Sequence, residues 1–367
     1  MSSRGIKDGF LSGLSERQCM VLRAVVTAYV AQAAPASSAT VSHLLPVPLS
    51  SASIRNTMAD LAALGLIEKP HASAGRIPTD GGLRIFVEQL LGPQPLADFD
   101  RRSLSQECEE LSGEGMTRWV SQLLSERTHQ LGFVVTPRVE RVPMRHLSFV
   151  RVARDKLLAV LVPEAGPIQQ REIEDLGSGD QAELDAVAAR LNERLPGHTL
   201  GDMRRLLEGE LSDLRSEARG IYTRTAELGL QAFAATPSAG GDLVITTRSA
   251  LLNQPEFNDP GRARAIFEAV ETNRRLLEVI GRVLESPRDE VRVSLGEDLD
   301  ELGLRHCAMV AISYGARPVP EGSEVGAGSG DQPLGVLGVI GPNRMDYGRV
   351  IPLVHYCSHL VTEKLLP

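Results

Sequence analysis

The chain has 367 residues, 42% of them hydrophobic and 23% charged, and a formal net charge of −8. Such a length gives two or three domains, and such a composition gives a globular protein with a substantial core. It argues against a membrane-spanning chain, because the longest apolar runs are pieces such as Leu157–Val162, well short of a span.

Met1–Ser12 is short, polar and unlike a signal peptide, which predicts a cytoplasmic protein. The first helix begins at a Ser15 cap. Leu22, Val25, Val26, Tyr29, Val30 and Ala33 recur at helical spacing, and Pro35 ends it. Ser37 caps a short second helix with Val41, Leu44 and Leu45 turned inward, before Pro46 and Pro48 break the chain. Ser50 caps a third helix whose buried stripe is Ile54, Met58, Leu61 and Leu64, with Gly65 as its C-cap. Leu66–Lys69 and Arg76–Thr79 are short extended pieces around a tip at His71–Gly75. Three helices followed by a two-stranded ribbon is the order of a winged helix-turn-helix.

Gly82–Leu91 continues as helix and Gly92–Pro95 reads as a linker. A polar helical stretch covers Asp98–Leu131, followed by strands at His146–Val152, Lys156–Pro163 and Ile168–Glu174. Gly177–Gly179 marks a change of character, and 180–233 is rich in Leu, Ala, Glu and Arg and predicts helices. Asp242–Thr247 is extended, and one long amphipathic helix covers Gly261–Leu284. The last strands are Val291–Leu295, His306–Tyr314 and Leu334–Ile340, and Val350–Leu365 closes as a helix. Gly315–Gly330 predicts a long hairpin loop. The expected fold is therefore α+β: a sheet domain interrupted by a mostly helical block, behind a helical head.

Charge is distributed unevenly. Residues 1–90 hold eight Lys/Arg and six Asp/Glu, a surplus of +2, which leaves the rest of the chain at −10. A mildly basic head on an acidic body suits DNA binding. The third helix carries the chemistry. With Ile54 at the centre of its buried face, Ala52, Asn56 and Ala59 lie opposite, flanked by Ser53, Arg55 and Asp60. The alanines allow close approach to a groove floor, Asn56 suits adenine, and Arg55 suits guanine or phosphate. Ser50, Ser51 and Ser53 at the helix start suit phosphate oxygens. Lys69, His71, Ser73 and Arg76 on the ribbon suit backbone or minor-groove contact.

Three blocks carry a resemblance. Ser53–Asn56, Met58–Leu61 and Leu64–Leu66 lead into Pro70–Thr79. Far away lie Ala250–Phe257, and then Gly338–Tyr347 with Arg349–Pro352. In this order the blocks resemble the heat-inducible transcription repressor HrcA family. The resemblance implies a winged-helix DNA-binding domain at 1–92, a GAF-like domain at 98–176 and 242–367, and an inserted dimerisation domain at 177–241. It also implies a homodimer that represses chaperonin and related heat-shock genes from an inverted-repeat operator of double-stranded DNA, called CIRCE, with the GroEL chaperonin as modulator. This sequence departs from the pattern in a polar extension before Ser15, a longer Gly315–Gly330 loop, and a loose match from 177 to 241.

Other signals weigh less. Gly335, Gly338 and Gly341 lack the strand-turn-helix context of a dinucleotide site. Cys19, Cys108, Cys307 and Cys357 form no CxxC or Cys/His cluster, and the eight histidines show no HxH or HExxH. No cofactor, metal or catalytic activity is expected. Arg344, Asp346 and Tyr347 read as a polar turn in which Arg344 pairs locally with Asp346. An alternative reading is a metabolite-responsive repressor whose effector sits in the GAF-like sheet.

Overall fold

The computed structural model describes residues 13–71, 74–92, 95–111, 113–137, 142–164, 168–174, 180–213, 221–234, 242–247, 250–251, 254–272, 274–285, 289–315 and 333–365. Ser73, most of Gly315–Gly330 and Gly177–Gly179 lie outside the described residues.

The head opens with α1 (Glu16–Gln32), α2 (Ser38–Leu44) and α3 (Ser51–Ala63). Each is capped by the serine that the sequence offers. Ser15 forms a capping box with Gln18, the Thr40 amide donates to Ser37 Oγ, and the Ser53 amide donates to Ser50 Oγ. Strands β1 (Ile67–Glu68) and β2 (Ile77–Pro78) pair antiparallel. Ala36 adds a third rung by exchanging backbone hydrogen bonds with Arg76, at 2.8 and 2.9 Å. Gly75 is required there, because a Cβ would lie 2.4 Å from the Ala36 carbonyl oxygen. Helix α4 (Asp80–Ile85) runs into a π-turn at Phe86–Leu90.

Two expectations for the head's stripes fail. Leu44 and Leu64, placed inward by periodicity, are 44% and 54% exposed. Leu44 ends α2, and Leu64 is the C-cap of α3 rather than a member of its last turn. Thr57 takes a place in the buried stripe instead, its hydroxyl donating to the Ser53 carbonyl at 3.0 Å.

The polar helical stretch expected over Asp98–Leu131 consists of two helices, α5 (Asp98–Glu107) and α6 (Gly113–Thr128). It delivers the chain into β3 (Leu131–Val135), the centre of whose sheet neighbours comes much later in sequence. That sheet has five antiparallel strands in the order β7-β3-β10-β9-β8, with β7 Leu243–Val244, β8 Arg292–Ser294, β9 Cys307–Tyr314 and β10 Gly335–Pro342. Both of its faces are covered. Val134, Ala308, Val310, Ile312, Leu337 and Val339 turn to the side of α6 and α12 (Tyr347–Leu365). Phe133, Met309, Ala311, Val336 and Ile340 turn to α10 (Pro260–Thr272) and α11 (Arg274–Gly281). These two segments lie within the helix expected over Gly261–Leu284, on either side of residue 273, which is outside the described residues. Burial on both faces is why β9 and β10 read as unbroken apolar runs.

The strands β4 (Met144–Ala153), β5 (Lys156–Pro163) and β6 (Gln169–Glu174) do not join this sheet. They form a meander of their own, packed on α7 (Gln181–Asn192), α8 (Leu200–Asp213) and α9 (Ile221–Ala232). Leu147, Phe149, Leu157 and Leu161 share a core with Leu184, Leu191, Leu207 and Phe233. So the strands expected beside the last strands of the chain lie with the helical block instead. Asn192 holds the two together, its side chain exchanging hydrogen bonds with the Leu147 amide and carbonyl at 2.8 and 2.9 Å. Among the described residues, no helix is long and apolar enough to cross a membrane.

Candidate nucleic-acid interface

Ile54, Thr57, Met58 and Leu61 turn α3 inward against α1 and α2. The opposite face is therefore free: Ser51, Ala52, Arg55, Asn56, Ala59 and Asp60 are all exposed. Ser50 is exposed as the N-cap and Ser53 is half-buried. Accepting the Ser53 amide uses one lone pair of Ser50 Oγ and leaves its proton to donate. The Arg55 Nε lies 3.5 Å from Ser38 Oγ at the start of α2, which leans the guanidinium toward a second helix N-terminus. Two helix starts thus bring free amides, serine hydroxyls and an arginine to one surface, the chemistry that phosphate oxygens meet. Asn56 sits mid-face between the small side chains of Ala52 and Ala59.

The ribbon of β1 and β2 follows α3 directly. Lys69 and His71 are exposed at the end of β1. Arg76 is half-buried, and its backbone is committed to Ala36. Ser73 lies outside the described residues. Asp60 and Glu68 are exposed near the same surface and would oppose phosphates.

Sequence reasoning misassigned Arg344. It does not pair with Asp346. Its guanidinium reaches Gln254 Oε1 at 2.9 Å and Glu256 Oε2 at 3.1 Å, with a second, shorter contact from Nε to Glu256 Oε1. Gln254 in turn donates to the His129 carbonyl at 3.1 Å. Two of the three distant blocks therefore meet at one ion pair. Tyr29 of α1 faces the same pair; burial, then the Glu256 charge, push its phenol up. Among the described residues, no group of three or more His, Cys, Asp or Glu is placed to hold a metal ion.

Comparison with known proteins covers nearly the whole chain. The family model described as the HrcA protein C-terminal domain matches residues 114–351. The chain is 34% identical over 349 residues to the heat-inducible transcription repressor HrcA of Xanthomonas axonopodis pv. citri, covering 95% of each. It is 34% identical over 360 residues to that of Nitratidesulfovibrio vulgaris, covering 96% of each. A crystal structure of a hypothetical protein superposes with a TM-score of 0.56 at 22% identity, over 97% of this chain and 98% of that one. The extent of these matches, from the head to the last helix, means that the chain belongs to the HrcA family of heat-inducible transcription repressors.

Proposed function

We propose that the chain is a cytoplasmic, homodimeric repressor of heat-shock chaperone genes that binds an inverted-repeat operator through a winged helix-turn-helix head. The observation that carries this reading is the exposed face of α3, where Ser51, Ala52, Arg55 and Asn56 face outward while Ile54, Met58 and Leu61 anchor the helix. In the proposal α3 enters the major groove, Asn56 and Arg55 read bases, Ser50, Ser51 and Ser53 hold phosphates, and Lys69, His71, Ser73 and Arg76 follow the adjacent backbone. Membership of the family supports the regulatory role and the heat response.

The body is proposed as a GAF-like domain carrying an insertion. Packing supports moving the insertion's limits from 177–241 to 142–234, because β4–β6 and α7–α9 share one core. The insertion is the proposed dimerisation unit. Its sheet turns Val150, Leu158, Val160 and Val162 outward, with Val150 47% exposed and opposite Leu158 in register. An apolar face of this kind fits a second copy of itself across a two-fold axis.

Footprinting with the full chain upstream of the organism's own chaperonin genes tests the reading. Protection of an inverted repeat supports it; no protection at low salt, where phosphate contacts are strongest, overturns it. The resemblance adds GroEL as the partner that maintains active repressor. Recovery of operator binding after heating, with and without added chaperonin, tests that part. The alternative, an effector inside the GAF-like sheet, has little support, since both faces of that sheet are filled by packed side chains.

A further inference from the structure

The head is joined to the body by more than its linker. Thr79 closes the ribbon onto the end of α3: its hydroxyl donates to the Gly65 carbonyl at 2.7 Å, and its amide to the Leu66 carbonyl at 3.1 Å. The same hydroxyl accepts the Gly82 amide as the N-cap of α4. The next residue, Asp80, is thus held in fixed relation to α3. Its carboxylate points the other way, into the body. Oδ1 accepts from Asn343 Nδ2 at 3.1 Å, and Oδ2 accepts from the Glu297 amide at 3.2 Å.

The body side of this contact is equally constrained. A Cβ on Gly296 would lie 2.4 Å from Asp80 Oδ2, so the backbone at Gly296 approaches as only glycine can. Asn343 follows β10 directly, its amide donates to the His306 carbonyl at 3.2 Å, and its own carbonyl accepts from the buried Tyr347 hydroxyl at 2.7 Å. One turn along α4, Arg84 pairs with Asp298 at 2.9 Å. Asp298 also accepts the Leu295 amide at 2.9 Å, which ties the partner down. A half-buried carboxylate here is not free of cost: burial, more than any neighbouring charge, pushes Asp80 up. A residue whose job was only to cap α4 would gain nothing from this placement, since Thr79 already caps it.

We propose that Asp80 is a positioning residue for operator binding: through Asn343 and the Glu297 amide it fixes the direction in which the recognition helix leaves the body, and so sets the half-site spacing that a dimer accepts. The proposal rests on the dimeric, α3-reading function above. A dimer gains from its second head only if that head arrives at the second half-site without further ordering. A rigid junction gives a large gain at one spacing and little at others, whereas a loose junction gives a small gain at all.

The experiment is fluorescence anisotropy with the full chain on three kinds of duplex. These carry one half-site of the footprinted sequence, the natural inverted repeat, and repeats whose centre is lengthened or shortened one base pair at a time. Wild type is expected to prefer one spacing. Asp80→Ala should keep half-site affinity within about twofold, lose about tenfold or more on the natural repeat, and bind all spacings alike. Arg84→Glu should show the same flattening, and Arg84→Glu combined with Asp298→Arg should restore the preference. Retained half-site binding reports a folded head, so the flattening cannot be put down to unfolding. A spacing preference unchanged in Asp80→Ala and Arg84→Glu, or a natural repeat bound more tightly by both, overturns the proposal. Failure of wild type to bind any of the duplexes would instead overturn the function on which it rests.

Discussion

Arg344 and Glu256 are 88 residues apart in sequence and form a two-point contact with side chains only 14% and 18% exposed. A pair so placed is a packing element as much as an attraction, because each charge has left water on account of the other. Removing one partner leaves the second buried and uncompensated. Arg344→Ala is expected to destabilise the chain by on the order of 3 kcal/mol, and Arg344→Met with Glu256→Leu to recover most of that loss. Urea denaturation of the two variants checks it. Equal stability of Arg344→Ala and wild type would mean that the pair is solvated in solution.

Arg55→Ala and Asn56→Ala are expected to weaken each half-site by about 1–3 kcal/mol while leaving the melting temperature close to that of wild type. Both side chains are exposed, so little packing is lost. Their effects should differ in kind. Asn56→Ala should relax discrimination between bases at one position, whereas Lys69→Ala should weaken all sequences alike and flatten the dependence on salt. Gel-shift titrations on operator and base-substituted operator at two salt concentrations separate these outcomes.

Much of the head was legible because its signals are local. Ser15, Ser37 and Ser50 cap the helices that follow them, and Gly65, at φ +73°, stands where α3 ends. Leu44 and Leu64 misled for the same reason that they stood out: periodicity identifies a stripe but not which of its end members the neighbours cover. In the body, β9 and β10 announce themselves as apolar runs, yet nothing in a run says which sheet it joins. The strand β5 is an apolar run too, and it belongs elsewhere. Asp80 carried no signal at all, since its partners at 297 and 343 are brought to it only by the completed fold.

The outward face of β4 and β5 supplies the third prediction. Val160 is half-buried on that face, opposite Ser148. Val160→Glu should leave the proposed insertion folded, because the residue points away from its core, and should convert the proposed dimer to monomer. Light scattering coupled to size-exclusion chromatography reads the change, and circular dichroism confirms retained structure. A dimer of unaltered affinity would send the search for the interface to another face.

His355 and His359 stack edge to face at 4.6 Å on α12. Burial, then the charge of His359, holds His355 below its ordinary value; Asp289 pulls it up and Arg101 adds to the lowering. A histidine depressed in the folded state binds its proton more readily when unfolded. Stability from this site is therefore fully present above about pH 6.5 and is lost as pH falls through the lower, folded value. His355→Gln should flatten the decline in stability below pH 6.5. An identical pH profile in wild type and variant would remove His355 as its source.

Heat meets two separately packed bodies in this chain. The head and one face of the main sheet share one continuous cluster that runs from Val21 to Leu365, a second fills the sheet's other face, and the proposed insertion encloses its own. Cooperative melting follows contiguous cores, so a calorimetric trace should show two transitions rather than one. In the proposed dimer, loss of the insertion first would leave each subunit with an intact reading head and no companion. Silence at the operator would then end by dissociation into single, weakly held heads, well before any residue proposed to touch DNA has lost its shape.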